Sequence, residues 1–213
     1  MDSETSTDTR LLVLLGLRLK GFADPEAIAE VVGLDPSRVR TELGSLVDEG
    51  LVRFNEQRQV YVLDPETGRP EGERLLAREL EVRGTRPAVD GAYRAFLDLN
   101  SEMLQLCTDW QIRSDLEPQT LNDHTDEDYD EQVISRLVDI DDRLRLVLAE
   151  LEAAAPRFGT YRGRFGGALD RVLAGETEYF TKPVIPSYHT VWFELHEDLL
   201  ASLGIDRASE RSD

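Results

Sequence analysis

The stretch DPEAIAEVVGLDPSRVRTELGSLVDEGLVRFNEQRQVYVL, residues 24–63, decides how the first third of the chain folds. Asp24-Pro25 is a helix start: the carboxylate can cap, and proline suits the first helical position because its missing N–H is no loss there. The helix is short, running to about Val32, and Gly33 stops it. Asp35-Pro36 repeats the start signal, and the next helix runs to Glu49 and ends at Gly50. Val39, Leu43, Leu46 and Val47 recur at helical spacing and form its core stripe. The opposite face carries Ser37, Thr41, Gly44 and Ser45, flanked by Arg38 and Arg40. Two short apolar stretches follow, Leu51 to Phe54 and Gln59 to Leu63, and the polar residues 55–58 between them read as a hairpin turn. Arg53 and Arg58 belong on or near that hairpin.

Upstream, Asp8 to Gly21 reads as a further helix with Leu11, Leu12, Leu15 and Leu19 inward. Helix, short helix, turn, helix, hairpin is the order of a winged helix-turn-helix. Small polar side chains permit close approach to a major groove, and flanking arginines reach phosphates or guanine edges. The expected DNA-contacting residues are therefore Ser37, Arg38, Arg40, Thr41, Ser45, Arg53 and Arg58.

The run from Ala23 to Gly68 resembles the reading head of MarR-like winged-helix bacterial transcriptional regulators. Leu43 to Val52, LGSLVDEGLV, carries most of that likeness, and LDPETG at 63–68 resembles the segment that follows the wing in that group. The likeness is confined to this run and implies that the helix from Pro36 to Glu49 is a recognition helix, with Gln57 and Arg58 near the wing tip. A winged helix first and a helical domain second is also the order of GntR-like regulators. The phrases CTDWQ, LNDH and YHTVWFELHEDLL in the second half look like actinobacterial regulators, and they imply no particular activity.

The formal net charge of −19 argues against a general nucleic-acid binder. The charge is uneven. Residues 1–86 carry 12 Lys/Arg and 17 Asp/Glu, a balance of −5, and residues 87–213 carry 12 and 26, a balance of −14. Only Lys20 and Lys182 are lysines. The apolar run Leu11 to Leu19 is too short to cross a bilayer, contains Arg18 and follows Asp2, Glu4 and Asp8, so it reads as neither a span nor a secretory leader. A single cysteine, Cys107, cannot form an internal disulfide, and a reducing cytoplasm is the simplest setting.

The second half reads as helices. A connecting helix spans Glu71 to Arg83, with Leu75, Leu76 and Leu80 inward. A longer one follows Pro87, with Val89, Tyr93, Phe96, Leu97, Leu104 and Cys107 on one face. Residues 114–131 form an acidic break. Its Asp126, Asp128 and Asp130 alternate as in a calcium loop, but Glu131 and Leu137 occupy the positions that need glycine and glutamate, so a solvated helix start is expected instead. From Glu131 to Ala154, Val133, Leu137, Ile140, Leu144, Val147 and Leu151 form a seam for another helix, in the same chain or a second copy. A helix after Pro156 carries Phe158, Tyr161, Phe165, Leu169 and Val172, and the last helix starts at Ser187.

The fold class expected is mainly α: a winged helix-turn-helix with a small hairpin wing over residues 1–68, a connecting helix over 69–86, and an acidic all-helical dimerisation and effector domain over 87–213. The expected function is a homodimeric DNA-binding transcriptional regulator, with double-stranded DNA and a second copy as partners and a small molecule as effector. Trp110, Tyr188, His189, Trp192 and His196 are the aromatic or polar-tipped candidates for the effector pocket, against the plainer reading that they are core. His189 and His196 lie two helical turns apart, yet no HxxxH or CxxC accompanies them, so no metal and no cofactor are expected. Phosphate loops and nucleophile elbows are absent and Cys107 sits on an apolar stripe, so no enzyme is expected. The other open reading is a winged helix that binds protein and not DNA.

Overall fold

A computed structural model describes residues 8–113 and 115–206. Asp2 and Glu4, Ser114 of the acidic break and the tail beyond residue 206 lie outside the described residues. The described chain is mainly helical with a small three-stranded antiparallel sheet. No described helix is long and apolar enough to cross a membrane.

Helix α1, Thr9–Lys20, is capped by the Asp8 carboxylate, which accepts from Arg10 N. More of it is buried than the four expected leucines, because Val13, Leu14 and Leu17 are also shielded. A helix apolar all round must be covered all round, and α2 (Pro25–Val32), α3 (Pro36–Asp48), α4 (Gly68–Arg83) and α9 (Tyr188–Leu203) all pack on it. Both Asp-Pro starts form as expected: Asp24 accepts from Ala27 N, and Asp35 from Ser37 N, each at 2.8 Å. Gly33 links the two helices at φ +70, a left-handed conformation that costs glycine little. Val39, Leu43 and Leu46 are fully buried and Val47 half-buried, so the α3 stripe is the one expected.

Strands β2 (Val52–Asn55) and β3 (Val60–Leu63) form the hairpin, with Phe54 opposite Tyr61. The two-residue strand β1, Phe22–Ala23, pairs with β3 through Phe22 opposite Val62. Two residues are too few for an alternating pattern, so only the tertiary pairing makes this a strand. Helix α4 begins at Gly68, three residues before the expected start. A Cβ on Gly68 would lie 2.0 Å from the Leu51 carbonyl oxygen, so a glycine is needed where α4 leaves the hairpin.

The remaining elements are α5 (Arg86–Gln111), a short pair β4 (Ile112–Arg113) and β5 (Thr120–Leu121), α6 (Glu127–Ala154), a single 3-10 turn at Pro156–Phe158, α7 (Gly159–Leu173) and α8 (Glu178–Thr181) before α9. Strands β4 and β5 and the short α8 are too brief to carry a periodic signal in the sequence. Helix α6 starts four residues earlier than expected because Asp126 caps it, accepting from Tyr129 N at 3.1 Å, with Glu127, Asp128 and Asp130 in the first turn. All six seam residues of α6 are buried, and the seam packs on α5 and α7 of the same chain. On α5, Leu104 is 52% exposed and leaves the expected stripe, and Ala92, Leu99, Met103, Leu106 and Trp110 complete the buried face.

Two clusters of buried hydrophobic residues result. One is built on α1–α3 and the sheet, the other on α5–α7 and α9. Helix α4 joins them, with Leu76 in the first and Leu80 in the second; α9 does the same through Ala201 and its other apolar residues.

Candidate functional site

The face of α3 opposite its core stripe is open: Ser37, Arg38, Arg40, Thr41, Gly44 and Ser45 are all exposed. Its N-terminal turn is ordered locally. Asp35 accepts from the Ser37 hydroxyl at 2.5 Å and from its N–H, and these bonds hold the Asp35 carboxyl below the ordinary range. The Thr41 hydroxyl donates back to the Ser37 carbonyl. Arg53 and Arg58 are exposed on the hairpin, where the Asn55 side chain accepts from Arg58 N at 3.0 Å and closes the turn.

Three of the four arginines are already engaged. Arg38 Nη2 donates to Thr9 Oγ1 at 2.6 Å, Arg40 pairs with Glu26, and Arg53 binds Asp64 at 2.5–2.7 Å. The Arg58 side chain has no partner among the described residues. The Arg53 guanidinium, with the backbone N–H groups of Glu66 and Thr67, holds the Asp64 carboxyl down at about 2. Exposed pairs are worth little in water and exchange readily with a phosphate partner. The same surface also carries Glu26, Asp35, Asp48 and Glu56, so it is mixed in sign and not a basic stripe.

The five pocket candidates are not gathered in one place. Tyr188 and Trp192 are core: the Tyr188 hydroxyl donates to Asp141 Oδ1 at 3.0 Å, Trp192 Nε1 donates to Asn100 Oδ1 at 2.9 Å, and both rings pack on Phe165. Burial pushes the Tyr188 hydroxyl well above its ordinary value. His196 packs beside Phe96 and Tyr93. Trp110 lies apart, between His124 and Phe180 with ring centroids at 4.4 and 4.8 Å. His189 lines a surface cavity, and burial lowers its pKa. Side chains on one helix, such as Tyr188 and His189, point apart when they are adjacent in sequence, and that separates them here.

Two further polar clusters lie away from α3 and the hairpin. Around Trp110, Asn122 Nδ2 donates to the Trp110 carbonyl and to Asp130, and Asp130 Oδ2 lies 2.8 Å from His124 Nδ1. The second cluster is buried where α4, α7 and α9 meet. Arg157 donates to Glu79 Oε2 at 2.7 Å, to Asp198 Oδ1 at 2.6 Å and to Ser202 Oγ at 2.7 Å, and Tyr161 donates to Asp198 Oδ2 at 3.1 Å. Nearby, Glu194 faces both Lys20 and Arg164. The available signal is Glu194, Asp198 and Ser202 at four-residue spacing, on one face of α9. Arg157, in the turn before α7, carries no such pattern.

Cys107 is buried and its thiol is pushed up to about 12, which suits an inert side chain. No group of three His, Cys, Asp or Glu side chains among the described residues is arranged to hold a metal. Comparison with known proteins gives no matching family model, no matching curated protein and no matching solved structure.

Proposed function

We propose that this protein is a DNA-binding transcriptional regulator whose head is a winged helix-turn-helix: α2 and α3 form the helix-turn-helix and β2–β3 the wing. The observation that carries this reading is the open face of α3, where small polar residues are flanked by Arg38 and Arg40 and sit beside a hairpin bearing Arg53 and Arg58. Such a face fits a major groove, and the hairpin arginines suit the adjoining phosphates. The MarR-like likeness of residues 23–68 supports the same reading. The regulator acts in the cytoplasm as a homodimer, two α3 helices entering successive major grooves ~34 Å apart, and a small-molecule effector controls it.

The test is fluorescence anisotropy of the purified protein on DNA from upstream of its own gene, at two salt concentrations. Competitor-resistant binding that weakens as salt rises is expected. A folded Arg38→Ala/Arg40→Ala variant is expected to lose on the order of 1–3 kcal/mol of binding energy for each arginine that reads a base. Unchanged affinity in that variant sinks the assignment.

A second reading is a winged helix that binds a protein. The acidic side chains Glu26, Asp35, Asp48 and Glu56 on the same surface favour it, because each repels phosphate. It predicts no DNA binding at low salt and a stable protein partner recovered through the α3 face.

A further inference from the structure

Val82, Leu104, Leu146 and Leu173 are exposed on four different helices, and single apolar residues of that kind are ordinary. Phe22, Val184 and Phe193 differ, because they line one groove of about 460 Å³ between the end of α1 with β1 and the segment leading into α9. Phe22 is 59% exposed, Val184 96% and Phe193 48%. Together they leave on the order of 350 Å² of apolar surface in water, the size at which a patch marks an interaction site. A standard interface covers ~800 Å² on each partner, so this patch is the centre of such a face and its rim is polar.

The face has a knob beside a hole. Val184 is almost wholly exposed and projects, while Leu19, Phe22 and Phe193 wall the depression next to it. Pro183 precedes the knob, Pro186 follows two residues on, and Ser187 N donates to Ile185 O at 2.7 Å, so the turn is held. The φ of Val184 is +66, which a β-branched residue adopts only against a steric cost and keeps only where its surroundings fix it. A surface that carries both a knob and a hole can complement itself about a two-fold axis, where residue i of one copy meets residue j of the other and j meets i.

Charge selects the same partner. The chain carries a net charge of −19, so two copies repel over most of their surface. The charged residues that line this groove are Lys20 and Glu194, and they pair with each other at 3.3 Å. Beside Pro183, Lys182 pairs with Glu178 at 3.4 Å. Burial lowers the pKa of His189, the other titratable group of the lining, and so favours its neutral form. Two such linings can therefore meet without setting unpaired like charges against each other. The α6 seam, which a second copy could also have used, is closed by α5 and α7 of the same chain.

We infer that a second copy of this chain docks on this face about a two-fold axis, each Val184 entering the other's groove against Phe22 and Phe193. The contact takes Leu19 and Phe22 from α1 and β1 and Phe193 from α9, so it touches the elements of both hydrophobic clusters in each copy. Its role as the interface of a dimeric regulator rests on the function proposed above; the self-association itself does not.

The test is sedimentation velocity of the full chain without DNA over a wide range of concentration, where a reversible dimer is expected. Val184→Asp puts a carboxylate on the knob, and aspartate tolerates a positive φ, so the monomer keeps its fold by circular dichroism. Self-association is expected to weaken about 100-fold or more, because the new charge enters the groove unpaired. Phe193→Ser is expected to weaken it about tenfold or more. Leu146→Asp, at an exposed position of α6 outside the groove, is expected to leave it unchanged. A chain that stays monomeric at every concentration overturns the inference, as does a dimer that Val184→Asp leaves intact or that Leu146→Asp weakens equally. A monomer that binds phosphatidylcholine vesicles overturns it in favour of a lipid surface. If upstream DNA is bound by a chain that never dimerises, the regulator reading stands and this interface falls. If Val184→Asp breaks a dimer that binds no upstream DNA, the interface stands and the regulator reading falls.

Discussion

Arg40 and Arg157 each hold a carboxylate, in opposite surroundings. Arg40 meets Glu26 on the open side of α2 and α3, where both side chains are more than half exposed. Arg157 meets Asp198 beneath α4, α7 and α9, where both are 2% exposed. In water an ion pair gains little over two hydrated ions, so Arg40 is free to exchange Glu26 for another anion at small cost. In the interior each charge has lost its water, and the full set of Glu79, Asp198 and Ser202 is needed to replace it. One chemistry therefore has two energetic outcomes. The exposed pair can exchange its partner at small cost, and the buried cluster ties Glu79 of α4 to Asp198 and Ser202 of α9 through Arg157.

The sharpest way to break this comparison is Asp198→Ala. Removing one partner leaves the Arg157 charge buried and the Tyr161 hydroxyl without its carboxylate, and the expected loss is ~3–5 kcal/mol. For a chain of this size that lowers the Tm by roughly 10 °C. A drop no larger than that of a surface variant, read by circular dichroism, shows that the junction does not depend on its ion pairs.

Asp64 lies between the two extremes, a buried carboxylate held by an exposed arginine. Because its folded-state pKa of about 2 lies below the ordinary 3.8, its contribution is present above pH 3.8 and is lost as the pH falls through about 2. Asp64→Asn is expected to lower the Tm by a few degrees at neutral pH, with the gap to the wild type closing between pH 4 and 2. A gap that stays constant over that range assigns the effect to the N–H bonds from Glu66 and Thr67 that an asparagine keeps only in part.

The smallest effect is expected at Glu26→Gln. Stability should stay within ~0.5 kcal/mol of the wild type. DNA affinity at low salt should rise a few-fold as Arg40 is released and a repelling charge is removed. An Arg40→Ala background should erase that gain; a gain that survives there is a general charge effect and not the exchange of partners.

The helices of residues 24–48 were legible because their signals are local: a carboxylate before a proline, a glycine behind, and an apolar stripe of period 3.6 between. The exposure of Ser37, Arg38, Arg40, Thr41 and Ser45 was legible for the same reason, as the complement of that stripe. The pocket candidates were not. Trp110, Tyr188 and Trp192 are aromatic groups with polar ends, and composition alone does not say whether such a group meets a ligand, Asn100 or Asp141. Leu104 shows the same limit, since the helical repeat drifts along the 26 residues of α5 and one further leucine turns to solvent.

By itself the sequence determined the helical class, the two Asp-Pro helix starts, the hairpin after α3, and the six-residue seam of α6, because each depends on groups within a few residues of one another. Only the tertiary structure decided that the seam closes on α5 and α7 of the same chain and that Phe22 adds a strand to β3. It alone brought Lys20 to Glu194, and Arg157 to Glu79 and Asp198, across 174, 78 and 41 residues. Those meetings are properties of how helices cross, and no spacing along the chain encodes a crossing.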